Sequence, residues 1–169
     1  MERLAPAETD RIGELYLRHA PGAVRLAYLL TGDHTLAEDL VQDAFVRVAG
    51  RLVHLRDAGA FDAYLKRTVV NLSRSHLRRR RIERQYLQRE KSLAQRGPVS
   101  SGSLEDRDRL WTAMSKLSDR QRAAIVLRFY EDLSEYRTAE ILRCRPGTVK
   151  SLVARGLQTL RAEIRGDEP

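Results

Sequence analysis

Arg67, Asn71, Arg74, Arg78 and Arg81 follow one another at steps of four, three, four and three residues, so on a helix they form one stripe. A solvated helix alternates Glu with Arg, yet no acidic residue falls within positions 63–82, and the stripe therefore calls for an anionic partner. Arginine suits forked contacts to phosphate. Asn71 carries both a donor and an acceptor, which fits a base edge better than a phosphate. Tyr64 lies on the same segment with two readings open: its spacing assigns it to a core, while a ring edge left exposed could stack on an unpaired base.

A second constellation lies between positions 146 and 164. At 100° per residue, Val149, Val153, Gly156, Leu157, Leu160 and Ile164 share one side, while Gly147, Thr148, Ser151, Arg155 and Gln158 share the other with Lys150 on the flank. Small residues near the helix start let it sink into a groove, and hydroxyls and Arg offer contacts to base edges and phosphates, the build of a recognition helix. A third group, Glu38, Asp39, Gln42, Asp43 and Val46, lies on the outward face of a further helical segment. Catalytic carboxylates need a concave, partly buried setting, so these acids read as a docking patch for basic side chains of a protein.

Other chemistry is excluded by spacing. The string GTVKS lacks the first glycine of a phosphate-binding loop and follows no strand. Ser75 and His76 would point about 100° apart on a helix, which rules out a nucleophile and base pair. The single cysteine, Cys144, excludes an internal disulfide, and His19, His34, His54 and His76 are scattered. No catalytic residue, metal or cofactor is expected.

The elements that position these residues read as helical throughout, because no stretch alternates with period two for long. Segments 12–19 and 21–30 read as two helices, Pro21 opening the second and Gly32-Asp33 closing it. Thr35 and Glu38 form a capping box, followed on one face by Ala37, Leu40, Val41, Ala44, Phe45 and Val48. After a turn at Asp57-Ala58-Gly59, a helix from Ala60 buries Phe61, Tyr64, Leu65, Thr68, Val69 and Leu72. Gly, Ser and Pro dominate 92–103, the composition of a flexible tether. Beyond it come helices at 104–116, from the Ser118–Gln121 capping box, at 134–142 and from Pro146 to about Ile164. Only Arg143, Cys144 and Arg145 separate the last two, the pattern of a helix-turn-helix. The chain thus reads as all-α, with small helical domains at 8–90 and 104–166 joined by a flexible linker at 91–103.

Composition agrees. The 169 residues are 42% apolar and 32% charged, and 27 of the 31 basic residues are arginine. The net charge of +8 is uneven: residues 1–50 sum to three negative, 51–100 to nine positive and 101–169 to two positive. An acidic first third beside a basic middle implies two kinds of partner, one basic and one polyanionic. No uncharged apolar run approaches a membrane span and the N-terminus lacks the apolar stretch of a signal peptide, so a cytoplasmic protein without membrane insertion is expected. With nine residues after Leu160, no appended C-terminal regulatory domain is expected either.

These residues resemble the extracytoplasmic-function (ECF) sigma factors of bacterial RNA polymerase, in particular the actinobacterial SigE-like group. LTGDHTLAEDLVQDAFVRV (30–48) is similar to the family's segment for binding core polymerase. FDAYLKRTVVNLSRSHLRRRR resembles the segment that melts and reads the minus-ten element, and LSDRQRAAIVLRFYEDLSEYRTAEILRCRPGTVKS the helix-turn-helix that reads the minus-thirty-five element. The resemblance implies that Glu38, Asp39, Gln42, Asp43 and Phe45 dock on the clamp helices of the beta-prime subunit, with Phe45, whose spacing is that of the core, in a supporting role. It implies minus-ten contacts by Tyr64, Arg67, Asn71, Arg74, Ser75 and Arg78, with a flipped base received by the loop at 55–60. Arg137, Gly147, Thr148, Lys150, Ser151 and Arg155 fall on the major-groove reader.

The sequence departs from the family pattern in three places. Tyr64 stands where Trp is common. Arg137 replaces a Glu three residues after the cap Ser134, losing a reciprocal capping contact and gaining a group for phosphate. Arg143 occupies the place of the usual turn glycine. A left-handed backbone there costs a non-glycine residue about 1 kcal/mol, so a re-formed turn is expected. The function implied is that of a sigma factor without an active site, binding core polymerase, promoter DNA and an anti-sigma factor. Two alternatives remain open at the level of sequence: a free-standing helix-turn-helix regulator, and a helical adaptor without promoter recognition.

Overall fold

A computed structural model describes residues 6–49, 58–90 and 105–165. Among the described residues all regular structure is helical: α1 (Pro6–Thr31), α2 (His34–Ala49), α3 (Ala58–Glu90), α4 (Glu105–Ser115), α5 (Asp119–Ile125), a π-helical turn (Val126–Tyr130), α6 (Glu135–Leu142) and α7 (Pro146–Arg165). Packing divides the chain into two compact units, Met1–Ser73 and Arg74–Pro169. The division falls inside α3, so the end of that helix and the packing boundary are different things. The tether expected at 91–103 lies outside the described residues.

In the first unit, α1 is one helix, not the two pieces expected at 12–19 and 21–30. Pro21 cannot donate to the Leu17 carbonyl, but Pro21 is exposed and Leu17 is 78% exposed, so the missing bond faces solvent. The opposite face, Ala20, Ala23, Leu26, Ala27 and Leu30, is buried without interruption and carries the helix through. Gly32, at φ 76°, ends α1 with its N–H on the Tyr28 carbonyl at 2.8 Å.

Asp33, not Thr35, caps α2. Its Oδ1 accepts from Leu36 N–H at 3.0 Å and its carbonyl from Ala37 N–H at 3.0 Å. Glu38 therefore reaches His34 Nδ1, at 3.5 Å, rather than a cap backbone. The six apolar positions expected on α2, from Ala37 to Val48, are all buried.

Ala58 and Gly59 belong to α3 rather than to a turn, and Asp57 lies outside the described residues. The helix buries Phe61, Leu65, Val69, Val70 and Ser73, whereas Tyr64, Thr68 and Leu72, expected inside, are half-buried. Aromatic edges tie three helices together: Tyr16 to Phe45 at 4.8 Å, Phe45 to Phe61 at 5.9 Å and His19 to Phe61 at 5.1 Å between ring centroids. Asp62 bridges α1 and α3, meeting His19 Nδ1 at 3.4 Å and Lys66 Nζ at 2.9 Å.

The second unit opens α5 with the expected capping box: Ser118 Oγ accepts from Gln121 N–H and Gln121 Oε1 from Ser118 N–H. Arg122 is buried and donates Nε–H to the Met114 carbonyl at 3.0 Å, stitching the end of α4 to α5. Burial lowers its pKa, an effect opposed by the Asp119 carboxylate. The continuation of α5 relaxes into the π-turn, where Glu131 N–H reaches the Val126 carbonyl, and the chain reverses through Asp132 at φ 48°. Arg128 donates to the Leu133 carbonyl and closes that reversal.

Ser134 caps α6, and Pro146 opens α7. Between them the turn is not re-formed. Arg143 adopts φ 50°, ψ 57°, and Cys144 N–H bonds the Ala139 carbonyl at 3.0 Å, a Schellman-type closure built on a non-glycine residue. On α7, Val149, Gly156 and Leu160 are buried while Ile164, expected inside, is 56% exposed. Gly156 is required by space: a Cβ there would lie 2.5 Å from Ile125 Cδ1.

Candidate nucleic-acid interface

The three constellations occupy separate surfaces. On α2 the buried face fixes the register, and Glu38, Asp39, Gln42 and Asp43 are consequently exposed on the other side, together with Val46 at 74%. Among the described residues neither Asp39 nor Asp43 enters an ion pair, so both carboxylates are available to an outside cation. Phe45 is 6% exposed between Tyr16 and Phe61. It fixes the helix that presents the acids and cannot itself meet a partner.

The stripe on α3 is graded. Arg67, Asn71 and Arg74 are half-buried, whereas Ser75, Arg78 and Arg81 are exposed. Nε of Arg67 and of Arg74 is enclosed without a hydrogen-bond partner, so these guanidiniums have spare donors held in place by packing. Burial also lowers the Arg74 pKa. Tyr64 is half-buried, its carbonyl accepting from Thr68 Oγ1 at 2.8 Å. Part of the side chain stays in contact with solvent, a setting compatible with either role. Of the loop expected at 55–60, positions 55–57 lie outside the described residues, and Ala58, Gly59 and Ala60 are the first turn of α3.

On α7, Gly147, Lys150, Ser151 and Arg155 are exposed and Thr148 is half-buried, as the helical wheel places them. Nothing lies within 4 Å of a Cβ built on Gly147, so the fold does not demand glycine there. Its missing side chain clears the approach to the helix start. Ser151 Oγ donates to the Gly147 carbonyl at 3.1 Å, an intrahelical bond that a base edge would have to displace. Two of the expected cations are already engaged: Lys150 Nζ lies 3.6 Å from Glu135 Oε2, and Arg137 Nη1 3.1 Å from Glu140 Oε2. Both pairs are on the surface, where such contacts are weak and exchangeable.

Two family models match the chain, Sigma-70 region 2 over residues 15–82 and Sigma-70, region 4 over residues 107–160. The RNA polymerase sigma-E factor of Streptomyces antibioticus is 36% identical over 161 residues, which cover 95% of this chain and 88% of that protein. The chain belongs to the ECF sigma factors. The ECF RNA polymerase sigma factor SigE of Mycolicibacterium smegmatis is 35% identical over 88% of this chain and 59% of its own length. Among solved structures, the sigma factor RpoE of Bartonella quintana, crystallised with the anti-sigma factor NepR, superposes with a TM-score of 0.70 at 28% identity, covering 92% of this chain and 98% of that one.

As a sigma factor the protein acts in transcription initiation and is not an enzyme. Among the described residues no helix is long and apolar enough to cross a membrane, and no group of three or more His, Cys, Asp or Glu is placed to hold a metal. Sequence reasoning passed over three exposed groups of this sigma factor: Leu17 on α1, and Tyr136 (74% exposed) with Arg145 beside the helix-turn-helix turn. Helical spacing gave no warning of Leu17, which lies three residues before the buried Ala20 and so close to the inward face. For Arg145 the only signal was its place in a three-residue turn.

Proposed function

We propose that residues 8–90 form the region that binds core polymerase and reads the minus-ten element, that 91–103 tether it, and that 104–166 read the minus-thirty-five element. One observation carries this reading. The free carboxylates Asp39 and Asp43 stand on α2, and an acid-free row of cations from Arg67 to Arg81 stands on α3, so two consecutive helices offer a protein-binding face and a DNA-binding face with opposite charge. On α2, Glu38, Asp39, Gln42 and Asp43 meet basic residues of the beta-prime clamp helices while Phe45 holds the helix in place. On α3, Arg67, Arg74 and Arg78 hold phosphates, and Asn71 and Ser75 read unpaired bases beside Tyr64. Trapping the separated strand shifts the melting equilibrium toward the open state. On α6 and α7, Arg137, Gly147, Thr148, Lys150, Ser151 and Arg155 address the major groove.

The protein works in the cytoplasm, where polymerase and promoter are. The Bartonella quintana relative was solved with an anti-sigma factor, and the exposed Leu17 and Val46 give this chain apolar surface suited to a similar inhibitor. Reconstitution with core polymerase on a library of genomic promoter fragments tests the assignment. Run-off transcripts that require the added chain are expected. Failure to co-purify with core enzyme would favour a free-standing regulator, and co-purification without transcripts an adaptor.

A further inference from the structure

The turn between α6 and α7 holds a non-glycine residue in the left-handed region, and that residue is an arginine. Glycine or asparagine would occupy the position with less strain, because a Cβ crowds the following carbonyl there. The Schellman-type bonds would close equally well with either. Helix capping therefore does not account for the side chain.

The surroundings do. Arg143 and Arg145 are exposed and line one open cavity of about 480 Å³ together with Tyr136, Ala139, Glu140, Cys144 and Pro146. The carboxylate of that lining, Glu140, is held by Arg137 at 3.1 Å. Among the described residues neither Arg143 nor Arg145 enters an ion pair; of the three cations expected to serve this domain, Arg137 and Lys150 do, and Arg155, further along α7, does not. Two free cations of the helix-turn-helix thus stand side by side in its turn, around a concavity that Tyr136 also lines.

We infer that the turn is a phosphate clamp in which Arg143 and Arg145, with Tyr136 beside them, grip the phosphodiester backbone where α7 enters the groove. Two guanidiniums present forked donors to the non-bridging oxygens, and the Tyr136 hydroxyl adds a neutral one. Such contacts set position and register without reading sequence. The inference rests on the reading of α7 as the major-groove element, and it assigns DNA contacts to residues outside that helix. It also gives Arg143 a reason to stay in a strained conformation: the left-handed turn is what presents its side chain at the mouth of the cavity, and fold stability is traded for a DNA contact.

The test uses the full chain and a fluorescein-labelled 20-base-pair duplex of arbitrary sequence, since a backbone contact needs no promoter. Arg143→Asn keeps a residue tolerant of the left-handed region and removes the charge; Arg145→Ala removes the second cation; Arg137→Ala serves as the comparison. Arg143→Asn should raise the melting temperature. It and Arg145→Ala should each reduce the salt slope of binding by about one unit, so that the ratio of Kd at 200 and 50 mM salt falls about 3.5-fold. Arg137→Ala should change the slope by less. An Arg143→Asn protein with unchanged slope and affinity overturns the clamp. So does one that binds the duplex normally but core polymerase weakly, which would mark the turn as a protein contact. Run-off transcription by the unsubstituted chain keeps the two readings separable: if it succeeds while the variants bind the duplex like the parent, the clamp alone fails.

Discussion

Changing both Asp39 and Asp43 to Lys isolates what the α2 face does. Each side chain is exposed and, among the described residues, outside any ion pair, so neither substitution removes a contact that holds the fold. Surface changes of this kind stay within about 0.5 kcal/mol apiece, and the helical circular dichroism and its melting midpoint should hardly move. Binding should respond differently. An exposed ion pair contributes up to about 1 kcal/mol, and reversal replaces that attraction with a repulsion of similar size, about 2 kcal/mol per site. Two sites give about 4 kcal/mol, or nearly a thousandfold in Kd at 1.4 kcal/mol per decade. The assay is a fluorescence titration of labelled chain with core polymerase at 0.15 M salt, with melting curves of the same samples. Asp33→Ala is the converse control. It deletes the cap on the Leu36 N–H, should cost about 1 kcal/mol of stability, and should leave polymerase affinity alone. A doubly reversed protein that binds core enzyme within threefold of the parent refutes the assignment, because no arrangement of basic partners around both carboxylates would tolerate it.

Two further contrasts are expected. On α3, Arg78→Ala should weaken all promoters alike and lower the salt slope by about one unit, while Asn71→Ala should alter base preference at one minus-ten position by roughly 1 to 3 kcal/mol and leave the slope unchanged; run-off transcription over a minus-ten library at two salt concentrations reads both. On α7, Gly147→Ala meets nothing within 4 Å and should stabilise the helix by up to about 1 kcal/mol while lowering minus-thirty-five-dependent transcription, whereas Gly156→Val must displace the buried Ile125 and should lose about 1 to 3 kcal/mol in a chemical denaturation series.

The helices were legible because their apolar spacing is regular, and the buried face of α2 could be named residue by residue. What escaped was decided by backbone hydrogen bonds competing over one or two positions. Thr35 and Asp33 are both good caps, and Asp33 prevails because Gly32 has already turned the chain, leaving Asp33 as the first residue able to serve α2. Pro21 reads as a helix start, yet an unbroken buried face on the opposite side outweighs a single missing bond toward water. The π-turn after Ile125 has no periodic signature at all. The candidate site was legible as types on faces and illegible as pairings: nothing in the order of residues says that Lys150 meets Glu135 from another helix, and so nothing said that the cation nearest the start of the recognition helix is engaged while those of the turn are free.

That difference in pairing has a consequence for how affinity and selectivity are divided. Counterion release scales with the cations that meet phosphate without first leaving a carboxylate. On α3, Arg78, Arg79, Arg80, Arg81 and Arg84 are exposed, and among the described residues none of them is in an ion pair. On α6 and α7, Arg137 and Lys150 must exchange one anion for another, with little net gain. The arginines of α3 should therefore supply most of the salt-sensitive, sequence-independent attraction. The face of α7, rich in small and hydroxyl-bearing residues, contributes through shape and hydrogen bonding, terms that salt leaves nearly untouched. A protein that relied on α7 for bulk affinity would not pair the lysine near its start; one that uses the helix to choose among sites loses little by doing so, because a neutralised lysine no longer rewards every stretch of DNA equally.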